Sequence, residues 1–396
     1  MISEKMAELG RKSSVIREIF EYAKKRRAEI GDENVFDFSI GNPSIPAPPA
    51  VAEAITRLAA GDPVLLHGYT SAPGDLGTRE AIAEHIRRCF GAEADAAHIY
   101  MTCGAAASLT VSLNAIVNPG DEVIVLAPFF PEYRVFAEKA GAALRVVKCR
   151  EGDFQIDFEA LAGAVNEKTK AVIVNSPNNP TGAVFSRDTI ERLAALLEEK
   201  QRELGSEIFI IADEPYRELA YDAEVPYIPL FYPNTLVCYS YSKSLSLPGE
   251  RIGYIFVSPK IENAADVWAA VCGAGRALGF VCAPSLMQYV IRDCVDQTAD
   301  ISVYRENRDI FYGALTEMGY TVVKPDGAFY LFMKSPEKSA AAFAERAKKY
   351  ELLLVPSDSF GYEGYVRITY CLDSDTIRRS LPAFRALIEE YRGENK

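Results

Sequence analysis

The sequence predicts an α/β protein with a large domain built on a mainly parallel, seven-stranded sheet and a smaller α+β domain. Between residues 97 and 258, seven short apolar runs alternate with helix-like or loop segments, a pattern that favours parallel strands covered by helices. After residue 285 a long amphipathic stretch leads into short strand-like segments and a final helix. A chain of 396 residues is long enough for about two to three domains.

The elements follow one another in a regular order. The first forty residues carry one helix-like segment and a loop, which we expect to pack on the smaller domain. The seven strand-like runs are HIYMT (98–102), EVIVLAP (122–128), LRVVKC (144–149), KAVIVNSP (170–177), IFIIAD (208–213), LVCYSYS (236–242) and IGYIFVS (252–258). Beyond them, TVVKPDGAFYLFMK, LLLVP and YVRITYC predict short strands, and a helix is expected near 374–392. We therefore place the large domain at 48–284 and the small domain at 1–47 with 285–396.

Composition narrows the class of partner. The chain has 43 Lys and Arg against 55 Asp and Glu, a net charge of -12, which argues against a surface built for nucleic acid or anionic lipid. The segment from Met1 to Ile30 is rich in charged residues and has no apolar stretch suited to a signal peptide or a membrane span. Cytoplasmic residence is the expectation.

No metal site is expected from the sequence. The eight cysteines contain no CxxC pair and do not cluster with histidine, so we predict free and mostly buried thiols. His67, His85 and His98 lack the spacing of metal ligands, and we predict structural roles for all three.

Polar residues of an unusual kind follow three of the predicted strands and interrupt a fourth. The segments are SPNNPTG (176–182), ADEPY (212–216), SYSKSLSLPGERIGY (240–254) and YVRITY, which contains Arg367. Ligands of open α/β sheets bind beyond the carboxyl ends of the strands, so these segments predict one site. A lysine among apolar neighbours, here Lys243, is a candidate for a lowered pKa and for Schiff-base chemistry, although a lone lysine is more often a solvated surface residue.

Together these motifs closely resemble those of the class I/II aminotransferases, members of the fold-type-I pyridoxal-phosphate (PLP) enzymes, from about Gly41 to Arg367. The most specific piece is S-x-x-K followed by R-x-G eight residues after the lysine, and NNPTG and D-E-x-Y stand in the expected order. The resemblance implies that Lys243 carries the cofactor as a Schiff base and moves the substrate proton. It also implies that Asp213 pairs with the pyridine nitrogen.

The same resemblance assigns the rest of the cofactor site. Asn179 and Tyr216 would hydrogen-bond the ring oxygen, with Tyr216 counted among the catalytic residues, and Phe130 would stack on the ring, with Phe129 as the competitor for that role. The phosphate would lie at the start of the helix that opens with CGAAASL, beside small residues. The residues expected there are Ala105, Ala106, Ser240, Arg251 and, from a neighbouring subunit, Tyr69. That last assignment implies a homodimer with shared active sites.

Substrate residues are implied with less detail. Arg367 would grip the substrate α-carboxylate through two parallel hydrogen bonds. Gly41, in SIGNPSIP, would lie in a loop that closes over the substrate, and Asn179 would also face it. One group of aspartate aminotransferases has a lysine where this chain has Ala106. Another group uses an arginine of the partner subunit, and Arg276 lies near the corresponding position in the sequence. Arg276 therefore either binds the distal carboxylate of the substrate or has a role in a structural salt bridge or at the surface.

The resemblance implies a ping-pong aminotransferase that moves an amino group from an L-amino acid to a 2-oxo acid, with 2-oxoglutarate as the expected acceptor. Aspartate and an aromatic or neutral amino acid are both candidate donors. A carbon–sulfur β-lyase is the main competing function, but lyases usually show an acidic-Ile-His pattern where this chain has DEPYREL. A cyclopropane-forming synthase would need an N-terminal Glu-containing motif that is not seen around SIGNPSIP. A noncatalytic binding protein or regulator is disfavoured because every polar residue that the chemistry needs is present.

Overall fold

A computed structural model describes residues 2–11 and 15–394. Within these ranges the chain forms fifteen α-helices: α1 (Glu4–Arg11), α2 (Val15–Ile30), α3 (Pro49–Ala59), α4 (Pro63–His67), α5 (Leu76–Phe90), α6 (Ala105–Ile116), α7 (Glu132–Ala140), α8 (Phe158–Ala164), α9 (Arg187–Leu204), α10 (Tyr241–Ser244), α11 (Ala264–Ala277), α12 (Ser285–Cys294), α13 (Ser302–Glu317), α14 (Ala340–Ala347) and α15 (Ser374–Glu394).

The same ranges contain thirteen strands: β1 (Phe36–Asp37), β2 (Ile99–Thr102), β3 (Glu122–Ala127), β4 (Ala143–Lys148), β5 (Thr169–Asn175), β6 (Phe209–Asp213), β7 (Thr235–Ser240), β8 (Gly253–Val257), β9 (Val322–Val323), β10 (Tyr330–Lys334), β11 (Leu352–Leu353), β12 (Val355–Pro356) and β13 (Tyr365–Thr369).

A seven-stranded sheet organises the larger part of the fold. Its strand order is β2-β8-β7-β6-β5-β3-β4, and β8 alone runs antiparallel to both of its neighbours. The central strands are buried along their whole length, which explains why they read as continuous apolar runs rather than as alternating ones. The mainly parallel seven-stranded sheet predicted from the sequence is confirmed.

A second, smaller body contains the C-terminal elements. Its antiparallel sheet has the order β12-β13-β10-β9, and α13 packs against α15 beside it. A separate cluster of buried aromatic residues, including Phe38, Phe311 and Phe384, fills its core. The helix α12, which the predicted division at 284 assigns to the small domain, instead adds Met287 and Ile291 to the core of the large sheet. The division of the chain into 48–284 and 1–47 with 285–396 stays a prediction.

The N-terminal segment packs on the smaller body. Ile19 and Ala23 of α2 share a buried cluster with Leu353 and Val355, and β1 pairs in parallel with β11. The expectation of a single helix here is wrong, because α1 precedes α2. α1 spans eight residues, which is too short a segment for apolar periodicity to identify a second helix, and none of them is buried.

Among the described helices, none combines the length and the apolar character needed to cross a membrane.

Candidate active site

Strand register brings two of the predicted motifs together. Asn175, the last residue of β5, lies opposite Asp213, the last residue of β6. The Asn175 side-chain amide donates to the Asp213 backbone carbonyl at 2.8 Å, and its Oδ1 accepts from the Asn179 amide at 2.7 Å. Asn175 therefore ties the NNPTG turn to the DEPY segment. Sequence reasoning missed this residue, although a polar side chain at the end of an apolar strand was a usable signal.

A cleft opens at these strand ends. It is lined by Ala105, Ala106, Leu109, Phe130, Asn175, Asn179, Asp213, Pro215 and Tyr216. Six of these nine are predicted cofactor residues, which the fold thus collects from four separate segments. Phe129 instead lies in the buried core, with its ring stacked near Tyr133. The arrangement favours Phe130 over Phe129 as the ring that faces a ligand.

The Asp213 carboxylate is buried, and only one of its two oxygens has a hydrogen-bond partner among the described residues. Its Oδ2 accepts a short hydrogen bond from the Tyr133 hydroxyl, whereas its Oδ1 has no partner among the described residues. Burial raises the pKa of Asp213 to about 7, the Tyr133 hydrogen bond opposes this rise, and the nearby charge of Glu214 adds to it. A ligand that presents a protonated ring nitrogen to Oδ1 would hold this carboxylate in its ionised form. Sequence reasoning missed Tyr133, whose only signal was an aromatic residue in the turn APFFPEY.

Lys243 sits in the short helix α10, directly after β7. Its Nζ donates to the Gly41 carbonyl at 2.7 Å and lies 5.2 Å from the centroid of the Phe329 ring. Burial lowers the pKa of Lys243 to about 8; the Cys371 thiol opposes this shift, and the charges of Arg251 and Arg367 add to it. At neutral pH a sizeable fraction of this amine is therefore unprotonated and able to attack a carbonyl carbon.

Anion-binding groups converge at the start of α6. Gly104 caps this helix with φ of 87°, and a Cβ at this position would lie 2.9 Å from Nη2 of Arg251. Arg251 Nη1 is 3.4 Å from the Ser242 hydroxyl, which is 2.8 Å from that of Ser240. Helix N–H groups, two hydroxyls and a guanidinium therefore surround one position suited to a phosphate. Sequence reasoning identified Ser240 and Arg251 but missed Ser242, which stands one residue before the lysine.

Arg367 reaches the cleft from the smaller body. It lies in the buried strand β13, and its Nη1 is 3.2 Å from Asn179 Oδ1, while Nη2 donates to the Ser39 carbonyl. Its Nε has no partner among the described residues. The guanidinium therefore keeps an unpaired donor at the junction of the two bodies, where it could bind a carboxylate.

Tyr330 shapes the same junction and was missed by sequence reasoning. Its hydroxyl lies 3.1 Å from that of Tyr216, and its ring centroid lies 4.7 Å from the Arg367 guanidinium carbon. A Cβ at Gly41 would collide with the Tyr330 hydroxyl. The predicted Gly41 loop thus approaches the cleft closely because glycine carries no side chain.

Two predicted site residues do not join the cleft within their own chain. Tyr69 is fully exposed. Arg276 is exposed near the end of α11 and forms no ion pair with any residue in the described ranges. An intramolecular salt bridge of Arg276 is therefore absent from this part of the chain.

Comparison with known proteins places this architecture in a large family. The family model described as "Aminotransferase class I and II" matches residues 33–384. An aspartate aminotransferase of Thermotoga maritima is 30% identical over 96% of this chain and 97% of its own length. A crystal structure of an amino transferase from Eubacterium rectale superposes with a TM-score of 0.97 at 54% identity, covering 99% of both chains. Aspartate aminotransferase from Thermus thermophilus with maleate gives 0.85 at 28% identity, covering 95% of this chain and 97% of that one.

The hydrogen bond from Tyr133 to Asp213 leads to a first prediction. Tyr133→Phe removes a donor to a buried carboxylate, so the pKa of Asp213 should rise and the ionised form should become scarcer. A hydrogen bond to a charged group contributes about 1.5–3 kcal/mol, so we expect the affinity for pyridoxal 5'-phosphate to fall about tenfold or more, measured by fluorescence titration.

Tyr227→Phe is the matched control, because the Tyr227 hydroxyl is equally buried but has no partner among the described residues. Equal affinities in the two variants would show that the Tyr133 hydroxyl does not support the site.

The lowered pKa of Lys243 leads to a second prediction. An amine with a pKa of about 8 is roughly one tenth neutral at pH 7 and nine tenths neutral at pH 9, so loading of the apoenzyme with pyridoxal 5'-phosphate should accelerate about tenfold and then level off. Stopped-flow absorbance measures this rate. An ordinary lysine, with a pKa near 10.4, would give a rise of roughly a hundredfold over the same interval with no plateau, and that result would contradict the assignment.

Proposed function

We propose that Lys243, Asp213 and Arg367 each have a separate role in transamination, because the chain belongs to the class I and II aminotransferase family. The protein is a PLP-dependent enzyme that transfers an amino group from an amino acid to a 2-oxo acid. A carbon–sulfur lyase is not favoured, since the relatives of this chain are named as aminotransferases.

The residues of the cleft fit that cofactor. Asp213 would offer its unpaired Oδ1 to the ring nitrogen, and the start of α6 with Ser240, Ser242 and Arg251 would hold the phosphate. Asn179, Tyr216 and Phe130 line the cleft; the first two would hydrogen-bond the ring oxygen, and Phe130 would stack on the ring. When bound, the cofactor supplies an electron sink for the bond between the substrate Cα and its hydrogen.

The observation that carries the catalytic assignment is the environment of Lys243. Its amine has a pKa of about 8 and lies 2.7 Å from the Gly41 carbonyl. A neutral amine in this position accepts a proton from the substrate Cα and returns it to another atom nearby. A base whose pKa lies close to the working pH is suited to both transfers.

Arg367 fixes the substrate. Its guanidinium is buried, is oriented by Asn179 Oδ1 and the Ser39 carbonyl, and retains a free Nε donor. An α-carboxylate bound here would direct the Cα hydrogen of one enantiomer toward Lys243, and binding would exclude water from the junction of the two bodies.

We further propose a homodimer with shared active sites. Large apolar side chains are exposed in the segment 64–76, namely Val64, Leu65, Tyr69 and Leu76. Val281, in the segment after α11, is exposed as well. The Cys282 thiol lies 3.2 Å from the Thr70 carbonyl, so the segment after α11 packs on the Tyr69 loop. The two residues expected to serve a neighbouring subunit, Tyr69 and Arg276, thus belong to adjoining segments. A second copy that covers these side chains would bury apolar surface. Cytoplasmic residence stays a prediction from the sequence.

For the donor, we propose a dicarboxylic amino acid such as aspartate, with 2-oxoglutarate as the acceptor. The Thermotoga and Thermus relatives are named aspartate aminotransferases, and the Thermus structure holds maleate, which is a dicarboxylate. Ala106 carries no charge, so the distal carboxylate needs another cation. Arg276 of the partner subunit is the candidate, because Arg276 is exposed and lacks an ion-pair partner among the described residues.

The proposed function predicts a half-reaction. Holoenzyme given aspartate without any 2-oxo acid should convert its cofactor absorption band to that of the amine form, which keeps the amino group, and release one equivalent of oxaloacetate per active site, without ammonia. Lys243→Ala should retain bound cofactor yet turn over at least a thousandfold more slowly, on the scale seen when a catalytic proton-transfer group is removed. Lys168→Ala, which removes an exposed lysine, is the control. Near-normal turnover of Lys243→Ala would overturn the assignment. Release of a thiol, pyruvate and ammonia from a sulfur-containing amino acid, with the cofactor band unchanged, would indicate a lyase.

The shared-site proposal predicts complementation between two defective variants. Arg276→Ala should lose aspartate turnover, and Lys243→Ala should be inactive. Co-expressed subunits form mixed dimers in which an intact Lys243 faces an intact Arg276 of the partner subunit, so aspartate activity should return. Arg292→Ala, which alters another exposed arginine nearby, should leave aspartate activity intact. Failure of the mixed dimers to recover activity would exclude sharing, and full aspartate activity of Arg276→Ala would exclude Arg276 as the residue that binds the distal carboxylate.

A further inference from the structure

Three side chains with metal-binding atoms meet on the surface of the large body, and none of them lines the cleft. His85 and Cys89 lie one turn apart on α5, and Asp296 follows the end of α12. His85 Nδ1 is 2.6 Å from Asp296 Oδ1 and 3.7 Å from Cys89 Sγ, and one ligand atom from each of the three residues lies within 4.8 Å of the other two. Within the described ranges, no second group of three such side chains approaches this closely.

We propose that His85, Cys89 and Asp296 form a binding site for a divalent transition-metal ion of the zinc class. In a tetrahedral zinc site the metal lies about 2.0–2.1 Å from nitrogen or oxygen and about 2.3 Å from sulfur. Those lengths imply a separation of about 3.6 Å between the nitrogen and the sulfur, close to the observed 3.7 Å. The carboxylate needs to withdraw from the imidazole by less than about 1 Å to admit the ion.

The chemistry of the three donors selects the metal class. Imidazole and thiolate are preferred by zinc and its neighbours, whereas magnesium and calcium prefer oxygen donors. A neutral imidazole, one thiolate and one carboxylate balance the two charges of the ion. Three protein ligands leave a fourth position for water.

Neighbouring residues support the donors. The Arg88 guanidinium also contacts Asp296, and so helps to orient the carboxylate. The Phe90 ring packs edge-on against His85, with centroids 5.8 Å apart. These contacts limit the movement of the Asp296 and His85 side chains.

Cys89 distinguishes a metal site from a simple surface ion pair. His85, Arg88 and Asp296 would already form a charge network without it. The thiol, whose Sγ lies 3.7 Å from His85 Nδ1, would give a bound ion its third ligand.

A metal ion bound at this site would connect α5 with the segment between α12 and α13. Asp296 lies between α12 and α13, and the Ala299 amide in the same segment donates to the Ser244 carbonyl at 2.7 Å. Ser244 is the residue after Lys243. A bound ion would therefore fasten α5 to the segment that supports the helix of the catalytic lysine.

The test uses holoenzyme dialysed against Zn²⁺, with bound metal counted by mass spectrometry. We expect saturable binding of one ion per chain, weakened at least about tenfold in Cys89→Ala and in His85→Ala. Cys272→Ala, which removes another partly exposed thiol, should bind as the wild type does. Added Zn²⁺ should raise the melting temperature of the wild type and of Cys272→Ala only. Equal binding by the wild type and Cys89→Ala, or no saturable binding by the wild type, would overturn the proposal.

A spectroscopic measurement on the unaltered protein makes the test independent of whether the variants fold. X-ray absorption at the zinc edge should show one sulfur at about 2.3 Å together with nitrogen or oxygen neighbours. A first shell without sulfur would overturn the proposal. Neither result depends on which amino acid the enzyme uses, so failure here leaves the proposed transamination untouched.

Discussion

The in-register parallel pairing of the central strands is the constraint on which the rest of the structure depends. Because β5 and β6 end side by side, Asn175 and Asp213 are neighbours, and the Asn175 amide closes the edge between them. β7 ends at Ser240, so the helix of Lys243 begins beside the same edge. Segments far apart in the chain thereby deliver a carboxylate, an amide and an amine to one cleft. A shift of one residue in any of these strands would turn its terminal side chain to the opposite face of the sheet.

The active site also requires that the charged side chains at the contact between the large and the small body be shielded from water. Arg367 comes from the small antiparallel sheet, yet its guanidinium bonds to Asn179 of the large body. The Lys243 amine bonds to the carbonyl of Gly41, in the segment between β1 and α3. Both cations lie near Tyr330 or Phe329, whose rings limit the access of solvent. Burial at this junction lowers the pKa of Lys243 and leaves the Arg367 donors directed toward a ligand.

Much of this arrangement could be predicted from the sequence, because strand periodicity and strand-end motifs are local signals. The seven strands of the large sheet appear within about two residues of the predicted runs, and hydrogen bonds of Asn175 link the segments of Asn179 and Asp213. The supporting residues could not be found in this way. Tyr133 acts on a carboxylate eighty positions away, and Tyr330 meets Tyr216 across 114 positions, so neither leaves a pattern in its own segment. Tyr69 and Arg276 are exposed on their own chain, and the roles that the resemblance implies for them in a second subunit stay predictions. The helix α1 spans only eight residues, which is too short for its periodicity to mark a separate helix before α2.

Asp213 Oδ1 and Arg367 Nε are buried at the cleft and have no hydrogen-bond partner among the residues that the structure describes. Each costs folding free energy, since a desolvated polar group without a hydrogen bond is unfavourable by about 1–3 kcal/mol. A bound cofactor and a bound substrate would therefore supply hydrogen-bond partners to these two buried atoms, in addition to taking part in the reaction. Their binding energy adds to the free energy of unfolding in proportion to the logarithm of their concentration. In a cell, the lifetime of this chain is therefore coupled to the supply of its own cofactor: chains that remain unloaded unfold more readily, and loaded chains persist.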